Sequence, residues 1–357
     1  MRTLVVSDLH LGSRSGVDVL RRDDALAALV GALAGVDRLV LLGDVLELRH
    51  GPVADAIDAA RPVLRTIGAA LGPGAEVVIL AGNHDHALVA PWLESRAVTR
   101  SPLGLEERGG PDASAATAEL AEALLPARAD VAYPGIWLRA DVYATHGHYL
   151  DRHVTVPTFE RLAIGAMARV IGSTSPPATP GDYEAVLAPV YGWQHAVARH
   201  ATNDFGTQRQ LESQRVWQQL SVNGSRSLRG RALMAGVRLG VLASNRLRLG
   251  PVSADLSPQE FRRAGLRAMR ECVRALGIGA DWVIFGHTHR AGPFPRDDPR
   301  EWQGLVNSGS WVHEDVFAGR EPGRSPYWPG GAVEVGDEVG SPPRLVNLLT
   351  ARSDKAA

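Results

Sequence analysis

One cysteine, Cys272, stands in 357 residues, so no disulfide closes within the chain and no site built from several thiolates is available. Lysine is as scarce: of 38 basic residues, every one but Lys355 is arginine. Aromatic residues make up 6% and do not alternate with a basic run, which argues against a stacking groove for single-stranded nucleic acid. A net charge of -1 and a pI near 6.9 exclude the broad positive field of a nucleic-acid binder. No uncharged apolar run reaches the roughly 18 residues of a membrane span. Met1 runs straight into an apolar strand at Thr3 rather than into a basic and apolar leader. A soluble, cytoplasmic protein is expected. With 45% hydrophobic residues, the chain has material for a full core in more than a minimal domain.

The first third alternates short apolar runs with amphipathic ones. Leu4 to Val6, Arg38 to Leu42 and Val77 to Leu80 read as strands, and Val17 to Val36 and Val53 to Leu71 as helices. Strands that are apolar on both faces imply a largely parallel α/β sheet covered by helices. Residues 96 to 130 read as an excursion with one helix, Ala115 to Leu125, capped by Ser114. Strands return over Ile136 to Thr145. Residues 151 to 280 carry only helical patterns, over Thr158 to Ile171, Ala185 to Ala201, Gln208 to Leu220, Arg226 to Leu242 and Pro258 to Leu276. We expect an inserted helical cap there, a core of residues 1–150 and 281–350, and a flexible tail over 351–357. Leu305 to Asn307, Ala332 to Val335 and Arg344 to Leu349 read as closing strands.

Five apolar strands end in polar groups: Ser7-Asp8-Leu9-His10, Gly43-Asp44, Gly82-Asn83-His84-Asp85, Thr145-His146-Gly147-His148 and Gly286-His287-Thr288-His289. In open α/β sheets the site lies beyond the carboxyl ends of the strands. Singly, each ending is a cap, a turn or a surface histidine. Five in one chain describe a two-metal hydrolytic centre. Asp8 and His10 can point the same way, Asp44 can bridge two cations, Asn83 offers a carbonyl oxygen, and His146, His287 and His289 offer imidazoles. This mixed oxygen and nitrogen set suits manganese above all, or iron or zinc, better than calcium or magnesium. Two such cations clamp a phosphoryl group and activate water near neutral pH.

In order and type the five endings resemble the calcineurin-like metallophosphoesterase superfamily, over residues 1–150 and 281–312. The resemblance implies a four-layer α/β/β/α sandwich with an inserted helical cap. It implies that Asp8, His10, Asp44 and His289 hold one metal, and Asp44, Asn83, His146 and His287 the other. It makes His84 the group that contacts phosphate and protonates the leaving oxygen. The run Val45-Leu46-Glu47-Leu48 lacks the Asp-Arg-Gly of protein Ser/Thr phosphatases, which argues against that branch. Glu47 stands where those enzymes carry the aspartate partner of the histidine, so a Glu47–His84 pair that raises the histidine pKa is expected. The Gly-Asp-Val-Leu-Glu run and the helical insert are similar to UDP-2,3-diacylglucosamine pyrophosphatases. Those enzymes generally carry arginine where His84 stands and aspartate where His148 stands, and their insert is shorter.

Arg49 and His148 are candidate substrate contacts, beside the plainer readings of a solvated arginine and a loop cap. His86 and His313 read as ordinary loop histidines. The insert holds 17 arginines against 9 acids. Arginines flank the apolar run from Arg226 to Arg248, which leaves two readings open: an ordinary packed helix, or a surface for anionic amphiphiles with peripheral membrane contact. The expected activity is that of a metal-dependent phosphoesterase or pyrophosphohydrolase on a small or lipid-linked phosphate compound. A nuclease of the same motifs, and a scaffold that has lost catalysis, are the competing readings.

Overall fold

The computed structural model describes residues 1–350 except 157, 174, 201–240, 242–244, 248–250, 254 and 256. The chain divides into two compact units, one of Met1–Gly147, Gln194–Asp204 and Gly279–Ala357, the other of His148–Trp193 and Phe205–Ile278.

The first unit is a mixed α/β sandwich. Strands β1 (Thr3–Val6), β2 (Arg38–Leu42) and β3 (Glu76–Leu80) run parallel, with Val5 opposite Val40 and Val40 opposite Val78. Helices α1 (Asp23–Ala32) and α2 (Val53–Leu71) connect them. Beyond β3 come helix α3 (Ala90–Val98), strand β4 (Glu106–Gly109) and helix α4 (Ala115–Ala123). Strand β5 (Arg128–Arg139) first pairs parallel with β3 through Ala132, then antiparallel with β6 (Val142–Thr145) from Gly135 onward. One strand thus belongs to two sheets. Strands β7 (Trp282–Phe285) and β8 (Leu305–Asn307) extend the second sheet in parallel. After the short helix α8 (Asp315–Ala318), β9 (Gly331–Val335) and β10 (Arg344–Asn347) close the far edge beside β1.

Alternation along the strands builds the layers. Leu4, Val6, Leu39, Leu41, Val77 and Ile79 face Leu29, Leu64, Ile67 and Leu120 of the helices. Val5, Val40, Leu42, Val78 and Leu80 face Ile136, Val142, Ala144, Ile284 and Val306 of the second sheet. The far side of that sheet is buried as well, at Tyr143, Val283, Phe285 and Leu305. Each such side chain contributes roughly 1.5–3 kcal/mol, and together they hold the strand ends rigid.

Some elements differ from the sequence reading. The first helix starts at Asp23 rather than Val17, because Asp18 turns back: its carboxylate accepts from Gly12 N at 3.0 Å and from Arg21 Nη2 at 2.7 Å. The excursion over 96–130 contains the edge strand β4, and β5 begins at Arg128 rather than Ile136.

The second unit is helical. A 3-10 turn (His148–Arg152) leads to α5 (Phe159–Val170), to α6 (Pro180–His200), whose residues from Gln194 onward count with the first unit, and to α7 (Pro258–Ala275). Thr158 caps α5 by accepting from Arg161 N at 3.1 Å, and Ser257 caps α7 by accepting from Glu260 N at 3.2 Å. Tyr149 and Tyr183 stack with centroids 4.5 Å apart. Tyr183 Oη lies 2.7 Å from His153 Nε2, and Tyr149 Oη donates to Glu184 at 2.8 Å. Cys272 is buried, and burial pushes its thiol up. The expected helix over 208–220, that over 226–242 except Val241, and the tail over 351–357 lie outside the described residues.

Candidate metal centre

The ends of β1, β2, β3, β6 and β7 converge because their loops bond to one another. Asp8 N donates to Gly43 O at 3.1 Å, His10 N to Asp44 O at 2.9 Å, and Gly286 N to His146 O at 3.0 Å. His287 N donates to Asp8 Oδ2 at 3.0 Å. Five candidate ligands take left-handed backbone, with φ of 54° at Asp8, 46° at His10, 51° at Asp44, 64° at His287 and 56° at His289. Among the described non-glycine residues only Arg100 shares that region. Such conformations persist where the surrounding fold over-determines them, and they cluster at functional sites. Glycine admits the close approach: a Cβ on Gly43 would strike the His146 ring, and one on Gly286 would strike Ser7 and Asp8.

The side chains gather into two groups that could hold a metal ion, Asp8 with His10 and His289, and Asp44 with His146 and His287. A third group, His10 with Asp44 and His84, joins them. In each, one ligand atom per residue lies within 4.8 Å of the others. Asn83 Oδ1 stands 3.3 Å from His146 Nε2 and 3.1 Å from His287 Nδ1.

Hydrogen bonds fix which ring nitrogens face inward. His10 Nδ1 lies 3.0 Å from Glu47 Oε2. Burial would raise the Glu47 pKa, but His84, His10 and His50 hold it well below the usual range, so Glu47 accepts and His10 Nδ1 carries the proton. The lone pair on His10 Nε2 then faces His289 Nε2 at 3.1 Å and Asp44 Oδ2 at 3.7 Å. His146 Nδ1 donates to Leu42 O at 2.9 Å, leaving its Nε2 toward Asp44 Oδ2 at 3.3 Å. Asp8 Oδ1 is buried without a hydrogen bond, 3.3 Å from His289 Nε2. Lone pairs aimed at lone pairs require cations or protons between them. Turning the Asn83 amide over would place its N–H among them; a cation satisfies the same groups with the carbonyl as ligand.

The electrostatics make the same demand. Burial opposes charge on His10, yet Glu47, Asp44 and Asp8 raise its pKa to about 9. Burial opposes it on His146 too, and Asp44 and Asp8 raise that residue to about 10. Burial would raise Asp8 and Asp44, but the surrounding histidines lower the first to about 2 and the second well below its usual value. The site calls for positive charge, and its residues fit a pair of divalent cations.

The Glu47–His84 contact forms, at 2.8 Å from Oε2 to Nδ1. Its expected consequence does not follow. Burial and the Arg49 guanidinium lower His84 to about 4, against the opposing pull of Glu47 and Asp44. Arg49 Nη1 sits 3.2 Å from His84 Nε2, and Nη2 donates to Asn83 O at 3.0 Å. His148 is in none of the three groups; it is buried in the helical unit, edge-on to Tyr149 and Tyr191. His86 packs against Tyr133, and His313 against Trp328.

Two supporting residues had no role assigned from sequence. Asp85 accepts from Gly82 N at 2.7 Å, Val45 N at 2.7 Å, Asp44 N at 3.2 Å and Leu46 N at 3.2 Å, tying the ends of β2 and β3 together. Asn307 Nδ2 donates to Gly286 O and to Thr288 Oγ1, each at 2.9 Å, and shapes the loop that carries His287 and His289. An acid directly after Gly-Asn-His was the one visible signal for Asp85.

The profile of the calcineurin-like phosphoesterases matches residues 1–204. A solved structure titled a dimetal phosphatase from Danio rerio is similar at 11% identity and a TM-score of 0.35, covering 98% of this chain and 99% of that one. That likeness is too loose to bear on the site. No curated protein sequence matches.

Proposed function

The chain belongs to the calcineurin-like phosphoesterase family and is a dinuclear metal-dependent phosphohydrolase; from that premise we propose that it hydrolyses a small or lipid-linked phosphate ester or diphosphate. The observation that carries this reading is the pair of groups able to hold a metal ion, Asp8 with His10 and His289 and Asp44 with His146 and His287, linked by the approach of His10 to Asp44. In the proposal Asp8, His10, Asp44 and His289 hold one cation and Asp44, Asn83, His146 and His287 the other, manganese being preferred. When bound, the cations neutralise phosphoryl charge and acidify the attacking water.

The remaining work falls to the chain's own groups. Asp44, whose Oδ2 lies 3.7 Å from His10 Nε2 and 3.3 Å from His146 Nε2, would serve both cations. Arg49 lies beside His84 and Asn83, within reach of a phosphoryl oxygen. In the resting arrangement His84 Nε2 accepts from Arg49 and has no proton to give. We assign Arg49 a move to the substrate phosphate, which frees His84 Nε2 to take up a proton and pass it to the leaving oxygen, with Glu47 stabilising the imidazolium at Nδ1. The helical insert is assigned substrate selection, and its excess of arginine over acid suits an anionic substrate. No helix among the described residues is long and apolar enough to cross a membrane, and a cytoplasmic location is part of the proposal.

The test is a panel of phosphomonoesters, phosphodiesters, nucleotide diphosphates, an acylated sugar diphosphate and single-stranded DNA, each with added manganese. Turnover of the acylated diphosphate above the others supports the lipid-linked reading. Preferential cleavage of DNA replaces it with the nuclease reading.

A further inference from the structure

We propose that Glu47 positions a metal ligand as well as His84: one carboxylate fixes the tautomer of His10 and thereby sets metal retention on the Asp8 side of the centre. The inference rests on the dinuclear reading. Glu47 Oε2 is 3.0 Å from His10 Nδ1 and 2.8 Å from His84 Nδ1. Oε1 is 3.0 Å from His84 Nδ1 and accepts from Arg49 N at 2.9 Å. The two rings meet edge to face, with centroids 4.6 Å apart. The carboxylate is buried, and its backbone is pinned by Glu47 N donating to Leu11 O at 3.0 Å.

Chemistry explains why this group is a glutamate. A carboxylate only accepts, and its roughly four lone-pair directions can receive both Nδ1–H groups and a backbone N–H together. Both histidines are thereby driven to carry the proton on Nδ1. For His10 this leaves Nε2 bare toward Asp8, Asp44 and His289, the form a ligand needs. Aspartate is one methylene shorter and cannot span both rings from the same backbone. Glutamine offers one accepting oxygen and one donating nitrogen, so one ring must shift its proton to Nε2. If that ring is His10, the proton lands where the cation should be. Loss of such an outer partner costs about 10–100-fold in metal affinity.

Manganese titration of metal-stripped wild type, Glu47→Gln, Glu47→Asp and His84→Ala, read by electron paramagnetic resonance and calorimetry, tests this without reference to turnover. Melting of each metal-free protein is measured alongside. We expect wild type and His84→Ala to bind two ions alike. Glu47→Gln should bind one ion with wild-type affinity and the other about 10–100-fold more weakly. If Glu47→Gln does not fold, Glu47→Asp carries the same expectation. Two undiminished sites in the variant would show that Glu47 serves His84 alone. Equal weakening of both sites with a lowered melting temperature would make Glu47 a plain structural residue. Both results overturn the proposal. A wild type that binds fewer than two ions would overturn the dinuclear reading instead, a separate failure.

Discussion

The stacked tyrosine pair of the helical unit and the strand ends of the sandwich unit both bury polar side chains, to opposite effect. In the tyrosine pair the hydroxyls find mates: Tyr183 meets His153, and Tyr149 meets Glu184. In the sandwich, Asp8, His10, Asp44 and His146 are as deeply buried, yet their accepting atoms are turned on one another. The backbone differs in the same way. All six described non-glycine residues at positive φ lie in the sandwich unit, five of them candidate ligands. Matched polar groups specify packing. Mismatched ones, held in a strained backbone by a rigid sheet, mark where a ligand completes the structure.

The contrast can be broken from either side. The largest effect is expected at Asp44, to which the proposal assigns both cations. Asp44→Asn should abolish metal retention and lower turnover by more than the roughly 10–100-fold that loss of an outer partner costs, as metal analysis and kinetics would record. Two retained ions with near wild-type turnover would remove Asp44 from its bridging role.

Next in size is His84→Ala. It should lose about 10²–10⁴-fold in rate while keeping both ions, and the loss should shrink for nitrophenyl esters, whose leaving groups hardly need a proton. An equal loss across leaving-group pKa would assign His84 to phosphate positioning instead.

Stability against pH sharpens the comparison further. Without metal, His10 is raised to about 9 and His146 to about 10 from an ordinary value of 6.5. A raised histidine contributes stability fully below pH 6.5 and loses it as pH climbs through the folded value. The melting temperature of chelated protein should therefore fall between about pH 7 and 10, and that of metal-loaded protein should fall less. Identical pH profiles with and without metal would contradict this account of the charges. The smallest effect is expected in the helical unit. Tyr183→Phe leaves His153 Nε2 without its hydroxyl partner and should cost about 1–3 kcal/mol with no change in metal content. Loss of an ion in that variant would blur the distinction between the units.

Much of this could be read in the sequence for a local reason. Apolar strands and the residues that end them are contiguous, so Asp8, His10, Asp44, Asn83, His146, His287 and His289 announce themselves. Strand β4 did not, because Glu106-Glu107-Arg108-Gly109 has no apolar alternation; it is a charged edge, as edge strands commonly are. The first half of β5 was hidden by its alanines and by the Pro134-Gly135 pair at which it passes between sheets. Asp85 and Asn307 bond mainly to backbone groups brought near by folding, which no spacing reveals. The sign of the His84 shift was misjudged because Glu47 was visible as a partner, whereas burial and the approach of Arg49 were not.

The central claim is that the inward-facing acceptors at these strand ends hold two cations on which hydrolysis depends. The direct measurement is metal content and turnover in the same samples, as ions are stripped by a chelator and manganese is returned. The account predicts two ions per chain at full activity, loss of turnover as occupancy falls below two, and recovery on refilling. Full turnover with one ion or none would contradict it.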